Sequence, residues 1–350
     1  MPDLTGYSTP SVLALFAVAA ILVWVAGTRL AQYGDAIAER LNLTREFIGL
    51  IFLATVTELP EIVTTFTAAQ VDNAGLVLGN MFGGITMQTA ILALADFFAV
   101  RHALTSWPRK PTHALVAVML IVLLSALLAV TFIGDRAIVS HVGIGAICLS
   151  LGFPLVIALQ RGFDQKSSWA PVDLPDEDRS EKALVTSQVD FSAQGTAMLI
   201  GRAALYSLLI LGAGMVLALS ADALAGQTSL GSSFIGVSLL AAATSLPELS
   251  TTLAAARIGA YTMAIANIFG SNLIMLALIL PADMAYENGP ILSQADASAQ
   301  FSIATGIMVT AIYVAGILIR RTPSLMGAGL DSWLVMAVYL VSLAGLYVMG

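Results

Sequence analysis

Charge is scarce in this chain: only eleven per cent of its 350 residues are Asp, Glu, Lys or Arg, and three are His. A soluble domain of that length needs more polar surface than this, so the composition excludes an ordinary globular protein. One cysteine, Cys148, leaves no intrachain disulfide and no thiolate metal cluster. His102, His113 and His141 show no metal-ligand spacing and are expected near membrane surfaces. The net charge of −7 says little about partners, since the acidic excess lies largely in one loop and a few helix ends, and no nucleic acid is expected. No G-x-S-x-G, H-E-x-x-H or paired-aspartate motif occurs in any apolar run, so the residues point to no enzyme and no cofactor. What is abundant is hydrocarbon: 58% of residues are hydrophobic and the mean hydropathy is +0.89. The chain reads as a polytopic membrane protein whose solvent is the lipid bilayer.

A spanning helix needs about 20 mostly apolar residues. Ten such runs fit, near 11–33, 45–70, 75–98, 112–133, 137–160, 196–221, 233–257, 261–281, 300–320 and 331–349. The first is no cleaved signal, since Asp3 and no basic residue precedes it. The polar interval 161–195, with Asp173, Asp176, Glu177 and Asp178, divides the chain into a first unit, 1–160, and a second, 196–350. It lacks the spacing of a calcium loop and reads as a flexible tether. Arg40, Arg45, Arg101, Arg109, Lys110, Arg161, Arg179, Lys182, Arg257 and Arg320 fall in alternate loops. The positive-inside rule then places both termini outside and the central loop in the cytoplasm, in what would be a bacterial inner membrane.

The second unit repeats the first at an offset of 187 residues without a gap. Asp35 falls on Asp222, Thr57 on Thr244, Pro60 on Pro247, Glu61 on Glu248, Asn80 on Asn267 and Asp96 on Asp283. Five helices per repeat is an odd number, so the second copy enters the membrane from the opposite side. The expected fold is all-α, ten transmembrane helices as two inverted five-helix repeats, with a binding site at mid-depth where the repeats meet.

The repeated stretch carries the chemistry: Leu59-Pro60-Glu61-Ile62-Val63-Thr64-Thr65 and Leu246-Pro247-Glu248-Leu249-Ser250-Thr251-Thr252. Pro60 has no N–H for the Val56 carbonyl, and Pro247 none for that of Ala243, so each helix should break there. A break at membrane depth is tolerated only where it lines a cavity or binds something. Each repeat thus offers backbone carbonyls, a Thr hydroxyl (Thr57, Thr244) and a carboxylate (Glu61, Glu248) within one turn. A carboxylate at bilayer centre costs about 2.5–3.5 kcal/mol on insertion scales, so a facing pair needs a counter-ion. Oxygen ligands without a soft donor suit hard cations, Ca²⁺ or Na⁺.

On these residues the chain resembles the cation/calcium exchanger superfamily, which includes the sodium/calcium exchangers. The second repeat, Ala243-Thr244-Ser245-Leu246-Pro247-Glu248 with Phe269-Gly270-Ser271-Asn272, matches its G-T-S-L-P-E and G-S-N motifs closely; the first is looser. The resemblance implies that Glu61 and Glu248 are the calcium carboxylates with the Thr57 and Thr244 carbonyls beside them. It also implies that Ala54, Ala241, Ser245 and Ser271 supply oxygens to flanking sodium sites. Four departures stand out. Glu58 replaces a Ser, Gly84 replaces another, and Gln88 and Met275 stand where exchangers of this kind place Asn or Asp. Two presumed sodium oxygens are missing and one carboxylate is added, which bears on the sodium stoichiometry.

The expected function is secondary-active antiport by alternating access, most simply Ca²⁺ for Na⁺, with helices 1 and 6 as the moving pair. Glu58 lies three residues before Glu61, and two carboxylates so close cannot both ionise easily; a proton or second cation on Glu58 would give H⁺-coupled exchange instead. A cation channel would use the same oxygens but needs a continuous wet path. Asn80 and Asn267 either pack beside Gly83-Gly84 and Gly270-Ser271 or line the site. Thr64, Thr65, Thr251 and Thr252 are expected to bond carbonyls of the preceding turn. Asp96 and Asp283 read as solvated helix ends, with a role in an ion funnel left open by their shared offset.

Overall fold

The computed structural model describes residues 6–70, 72–100, 102–108, 111–166, 191, 194–227, 242–320, 324–325 and 327–349. Apart from two small hairpins these residues are overwhelmingly helical. In chain order the helices are α1 (Thr9–Leu41), α2 (Arg45–Thr57), α3 (Leu59–Gln70), α4 (Ala74–Ala99), α5 (Thr112–Ile133), α6 (Ile144–Ser150) and α7 (Gly152–Lys166). The second half supplies α8 (Thr196–Gln227), α9 (Leu246–Arg257), α10 (Tyr261–Ala277), α11 (Ile279–Ala285), α12 (Ala297–Ile319) and α13 (Leu330–Met349). The pairs α2/α3, α6/α7 and α10/α11 each correspond to one expected span, with α7 running on to Lys166 and α11 to Ala285. Residues 242–244 are helical and lead into α9, while 233–241 of the expected seventh span lie outside the described residues, as does most of the tether 161–195.

Two boundaries differ from the sequence expectation. Helix α1 continues past the apolar run through Asp35 to Leu41, and stops where Asn42 turns left-handed at φ 52. Asp35 is held there by a two-point ion pair with Arg45, at 2.5 and 3.0 Å. The fifth span begins at Ile144, because residues 137–143 form a hairpin, Ala137–Val139 (β1) with Val142–Gly143 (β2). Left-handed Gly134 and Ser140 end the preceding helix and turn the chain, and the Asp135 carboxylate accepts the N–H groups of Gly145 and Ala146, fixing a later helix start. The same device recurs before the tenth span, where Ser324–Leu325 (β3) pairs with Ala328–Gly329 (β4).

The hairpins reveal the inverted symmetry. Asp96, at the end of α4, accepts the N–H of Leu104 in its own repeat and of Gly329 in the other, at 2.6 and 2.7 Å. Asp283, in α11, accepts from Ile291 in its own repeat and from Gly143 in the other, at 2.6 and 2.7 Å. Each repeat therefore grips the hairpin of its partner with a fully buried aspartate. These two residues are structural latches, not solvated helix ends; a helix-end carboxylate aimed inward finds backbone donors that replace water.

Helices α4 and α10 form the buried centre, while α1, α5, α8 and α13 are peripheral and turn large apolar side chains outward, among them Ile21, Phe132, Leu208, Val341 and Val348. That is the surface a lipid-facing helix presents. At the centre α2 crosses α10 at backbone contact. A Cβ on Gly270 would lie 2.3 Å from the Leu50 carbonyl oxygen, and one on Gly49 would lie 2.4 Å from that of Met263. Gly270 thus has the packing role expected of it, whereas Gly83 has nothing within 4 Å of a built Cβ. His113 is buried rather than interfacial, while His102 is exposed and His141 reaches the Met284 carbonyl near the surface.

Candidate metal centre

The first-repeat motif sits on a helix interrupted twice. Residues Ile48–Leu53 of α2 are π-helical, an arrangement that recurs at functional sites. The helix then breaks at Glu58, and α3 leaves at 47° to α2. Pro60 causes the break by withholding an N–H; the ladder resumes with the Ile62 N–H donating to the Glu58 carbonyl at 2.8 Å. The second repeat breaks at Ser245, and Leu249 N–H donates to its carbonyl at 3.1 Å. Thr64 and Thr251 behave as the sequence implies, their hydroxyls donating to the Pro60 and Pro247 carbonyls at 2.9 Å.

These breaks bring Glu58, Glu61 and Glu248 together, with one carboxylate oxygen from each within 4.8 Å of those of the other two. Each residue is at most 2% exposed. Thr244 of the second repeat lies beside Glu61, and Thr57 of the first lies beside Glu248, so the two motifs are interleaved. Five of the six carboxylate oxygens have no hydrogen-bond partner: Oε2 of Glu58 and both of Glu61 and Glu248. Among the described residues the ion pair is Arg45–Asp35, and no basic side chain is paired with the three glutamates. Buried carboxylate oxygens without donors cost free energy that a cation offsets. Hard divalent ions take six to eight oxygens, and five carboxylate oxygens with nearby threonines come close to that set.

The other expected ligands divide. Glu58 accepts from the Gln88 amide at 2.5 Å, and Ser271 lies beside the same carboxylate with its Oγ otherwise unpartnered. Both Gln88 and Ser271 are fully buried. Ser245 is buried at the second break. The Ala54 carbonyl is already used inside its helix, accepting Glu58 N–H at 3.0 Å and the Thr57 hydroxyl at 3.3 Å. Ala241 lies outside the described residues. Asn80 donates to Thr65 at 3.2 Å, and Asn267 donates to Thr251 and Thr252 at 3.1 Å, so each brace fastens a central helix behind a glutamate. Asn267 keeps one unpartnered oxygen. Sequence reasoning missed the Asp96 and Asp283 latches, although their shared offset was the available signal.

An all-helical, lipid-facing protein with an acidic chamber between inverted repeats belongs to the class of polytopic cation antiporters, transporters rather than enzymes. More particularly, the chain belongs to the sodium/calcium exchanger protein family, whose model matches residues 11–164 and 196–348. A curated relative, a putative antiporter CaxA of Alkalimonas amylolytica, is 27% identical over 260 residues, 74% of this chain and 76% of that protein. Solved structures of the sodium-calcium exchanger NCX_Mj share the fold. One, soaked with 10 mM Na⁺ and 10 mM Sr²⁺, gives a TM-score of 0.70 at 18% identity, covering 96% of this chain and 99% of that one. Another, soaked with 10 mM Na⁺ and no Ca²⁺, gives 0.69 at 19% identity with the same coverage.

Proposed function

We propose that the protein exchanges Ca²⁺ for Na⁺ by alternating access around the Glu61/Glu248 site. The observation that carries this reading is the chamber itself: three buried carboxylates, one oxygen of each within 4.8 Å of the others, five of their oxygens unpartnered, and, among the described residues, no basic side chain paired with them. An empty chamber leaves repelling charges in a dry interior, so the unloaded carrier changes sides slowly; a bound cation neutralises the site and permits the step. That requirement couples the ions, because each crossing needs a cargo.

The moving pair is α1 with α8. They pack on each other and contact the site-bearing helices through glycines that correspond at the 187 offset. Gly27 meets Ser250 on α9, with a built Cβ 1.9 Å from its Oγ, and Gly214 meets Pro60, with a built Cβ 2.5 Å from its Cγ. A shift of this pair is felt at both broken helices. Units 1–160 and 196–350 act as the two halves, with both termini outside and the linker cytoplasmic in a bacterial inner membrane.

Proton-coupled exchange through Glu58 is the second reading, favoured by the third carboxylate in the chamber. Reconstitution in liposomes separates the two. Uptake of Ca²⁺ driven by a Na⁺ gradient at equal pH supports the first; uptake driven only by a pH gradient transfers the coupling to Glu58. Saturable counterflow, with external Ca²⁺ accelerating efflux of labelled Ca²⁺, is expected of either carrier, and its absence beside a steady leak would mark a channel.

A further inference from the structure

Each latch has a second aspartate beside it. Next to Asp283 stands Asp135, whose Oδ1 accepts the Arg136 and Gly145 N–H groups at 2.8 Å and whose Oδ2 accepts that of Ala146 at 3.3 Å. Three backbone donors offset that charge. Next to Asp96 stands Asp331, 4% exposed in the first turn of α13. It has one donor, the Thr105 hydroxyl on Oδ2 at 2.7 Å, and its Oδ1 has none. Gly316 of α12 leaves room for the carboxylate, since a Cβ there would lie 2.1 Å from Oδ2. Tyr313, fully buried on α12, is in electrostatic contact with Asp331 and Asp96, yet its hydroxyl bonds to neither. Two unpartnered oxygens, Asp331 Oδ1 and Tyr313 Oη, thus share a dry pocket without bonding each other.

The repeat marks this arrangement as additional to the latch. At the 187 offset Thr105 falls on Leu292, Tyr313 on Ala126 and Asp331 on Ile144. The Asp283 latch grips its hairpin with none of these polar groups, so the grip does not require them.

Charge decides what fits between the two oxygens. Asp96 accepts from Leu104, Gly329 and Ser332, which leaves Asp331 as the carboxylate short of donors. The α13 N-terminus adds about half a positive charge, shared by both aspartates. Among the described residues neither has a basic partner, and Arg320, four residues past Gly316, donates instead to the Ser106 carbonyl at 3.1 Å. One remaining negative charge among hydroxyl oxygens suits one hard monovalent cation; a divalent ion would leave excess positive charge in the same dry pocket.

We propose that Asp331 Oδ1, Tyr313 Oη and Thr105 Oγ1 hold a resident alkali-metal cation at the Asp96 latch. The site is separate from the chamber: Asp96 lies eight residues beyond Gln88 on α4, about 12 Å of helix. Its ligands tie α12, α13 and the 102–108 segment together, so its ion stabilises the framework and is not carried.

The test is thermal unfolding of the purified intact chain carrying E58Q/E61Q/E248Q, which removes the chamber's charge. NaCl, KCl and N-methylglucamine chloride are compared at constant ionic strength and pH, with divalent ions chelated. Na⁺ or K⁺ should raise the midpoint by about 2 °C per tenfold rise in concentration above its Kd, and N-methylglucamine should not. Asp331→Asn should abolish the dependence, and Tyr313→Phe should shift it to roughly tenfold higher concentration. Should the triple variant fail to fold, the alkali-dependent difference between the parent and Asp331→Asn, both with the chamber intact, reads the same site. A midpoint equal in all three salts would overturn the proposal and leave the two oxygens to a bridging water. So would a dependence that survives Asp331→Asn, or one that follows pH alone, which would give Asp331 a proton. None of these outcomes touches the antiport reading, which the chamber carries by itself.

Discussion

Replacing Asp283 by Asn should weaken the fold more than any comparable change at a helix end exposed to water. Its carboxylate takes the Gly143 N–H at 2.7 Å with one oxygen and the Ile291 N–H at 2.6 Å with the other, and the side chain is fully buried. Asn keeps one acceptor but turns an NH₂ toward the second donor, so one backbone N–H loses its partner. A hydrogen bond to a charged group is worth about 1.5–3 kcal/mol, and some of that returns because a neutral amide is cheaper to bury than a carboxylate. The net loss is about 2 kcal/mol. By the repeat, Asp96→Asn should cost a similar amount, since Leu104 and Gly329 stand in the same places at 2.6 and 2.7 Å. Thermal unfolding of the detergent-purified protein, followed by tryptophan fluorescence, measures both. If the two variants unfold within about 0.5 kcal/mol of the parent, the range of ordinary surface substitutions, the latch reasoning is wrong.

Gly270→Val should be far more damaging than Gly83→Val, because the first drives a side chain into the Leu50 carbonyl and Ala54 Cβ while the second has open space; expression and monodispersity by size-exclusion chromatography report the contrast. Chelating divalent ions should lower the unfolding midpoint in a concentration-dependent way, since saturation at about a hundred times Kd contributes about 2.7 kcal/mol; a midpoint indifferent to Ca²⁺ and Na⁺ alike would contradict the chamber. E61Q and E248Q should each abolish transport yet raise the stability of the ion-free protein, by up to about 2.5–3.5 kcal/mol, because each removes a buried charge without a partner.

Much of this architecture was legible because lipid leaves few options. Apolar runs of spanning length gave the helices, and identical spacing of Pro60 with Pro247 and Glu61 with Glu248 implied an inverted pair meeting at a site. The hairpins 137–143 and 324–329 were not legible. Ile138, Val139 and Val142 are as apolar as a helix requires, and only the Asp135 carboxylate and the left-handed residues Gly134 and Ser140 decide otherwise. Asp96 and Asp283 were misjudged for a related reason: sequence shows that a carboxylate ends a helix but not whether it faces water or another repeat's backbone. Glu58 was visible as a departure from the repeat, whereas its bond to Gln88 on α4 and the contact of Met275 on α10 with Gly84 on α4 depend on how α4 packs in three dimensions. The Ala54 carbonyl, expected to be a ligand, accepts the Glu58 N–H and the Thr57 hydroxyl within the helix, which a sequence does not show.

The most direct measurement is the position of a heavy divalent ion in crystals of the protein, located by anomalous X-ray scattering from bound Ba²⁺. The account predicts one strong peak within bonding distance of carboxylate oxygens from both Glu61 and Glu248, lost in E61Q/E248Q crystals. A chamber without metal in crystals of protein that transports Ba²⁺, or a peak held by other residues, would contradict it.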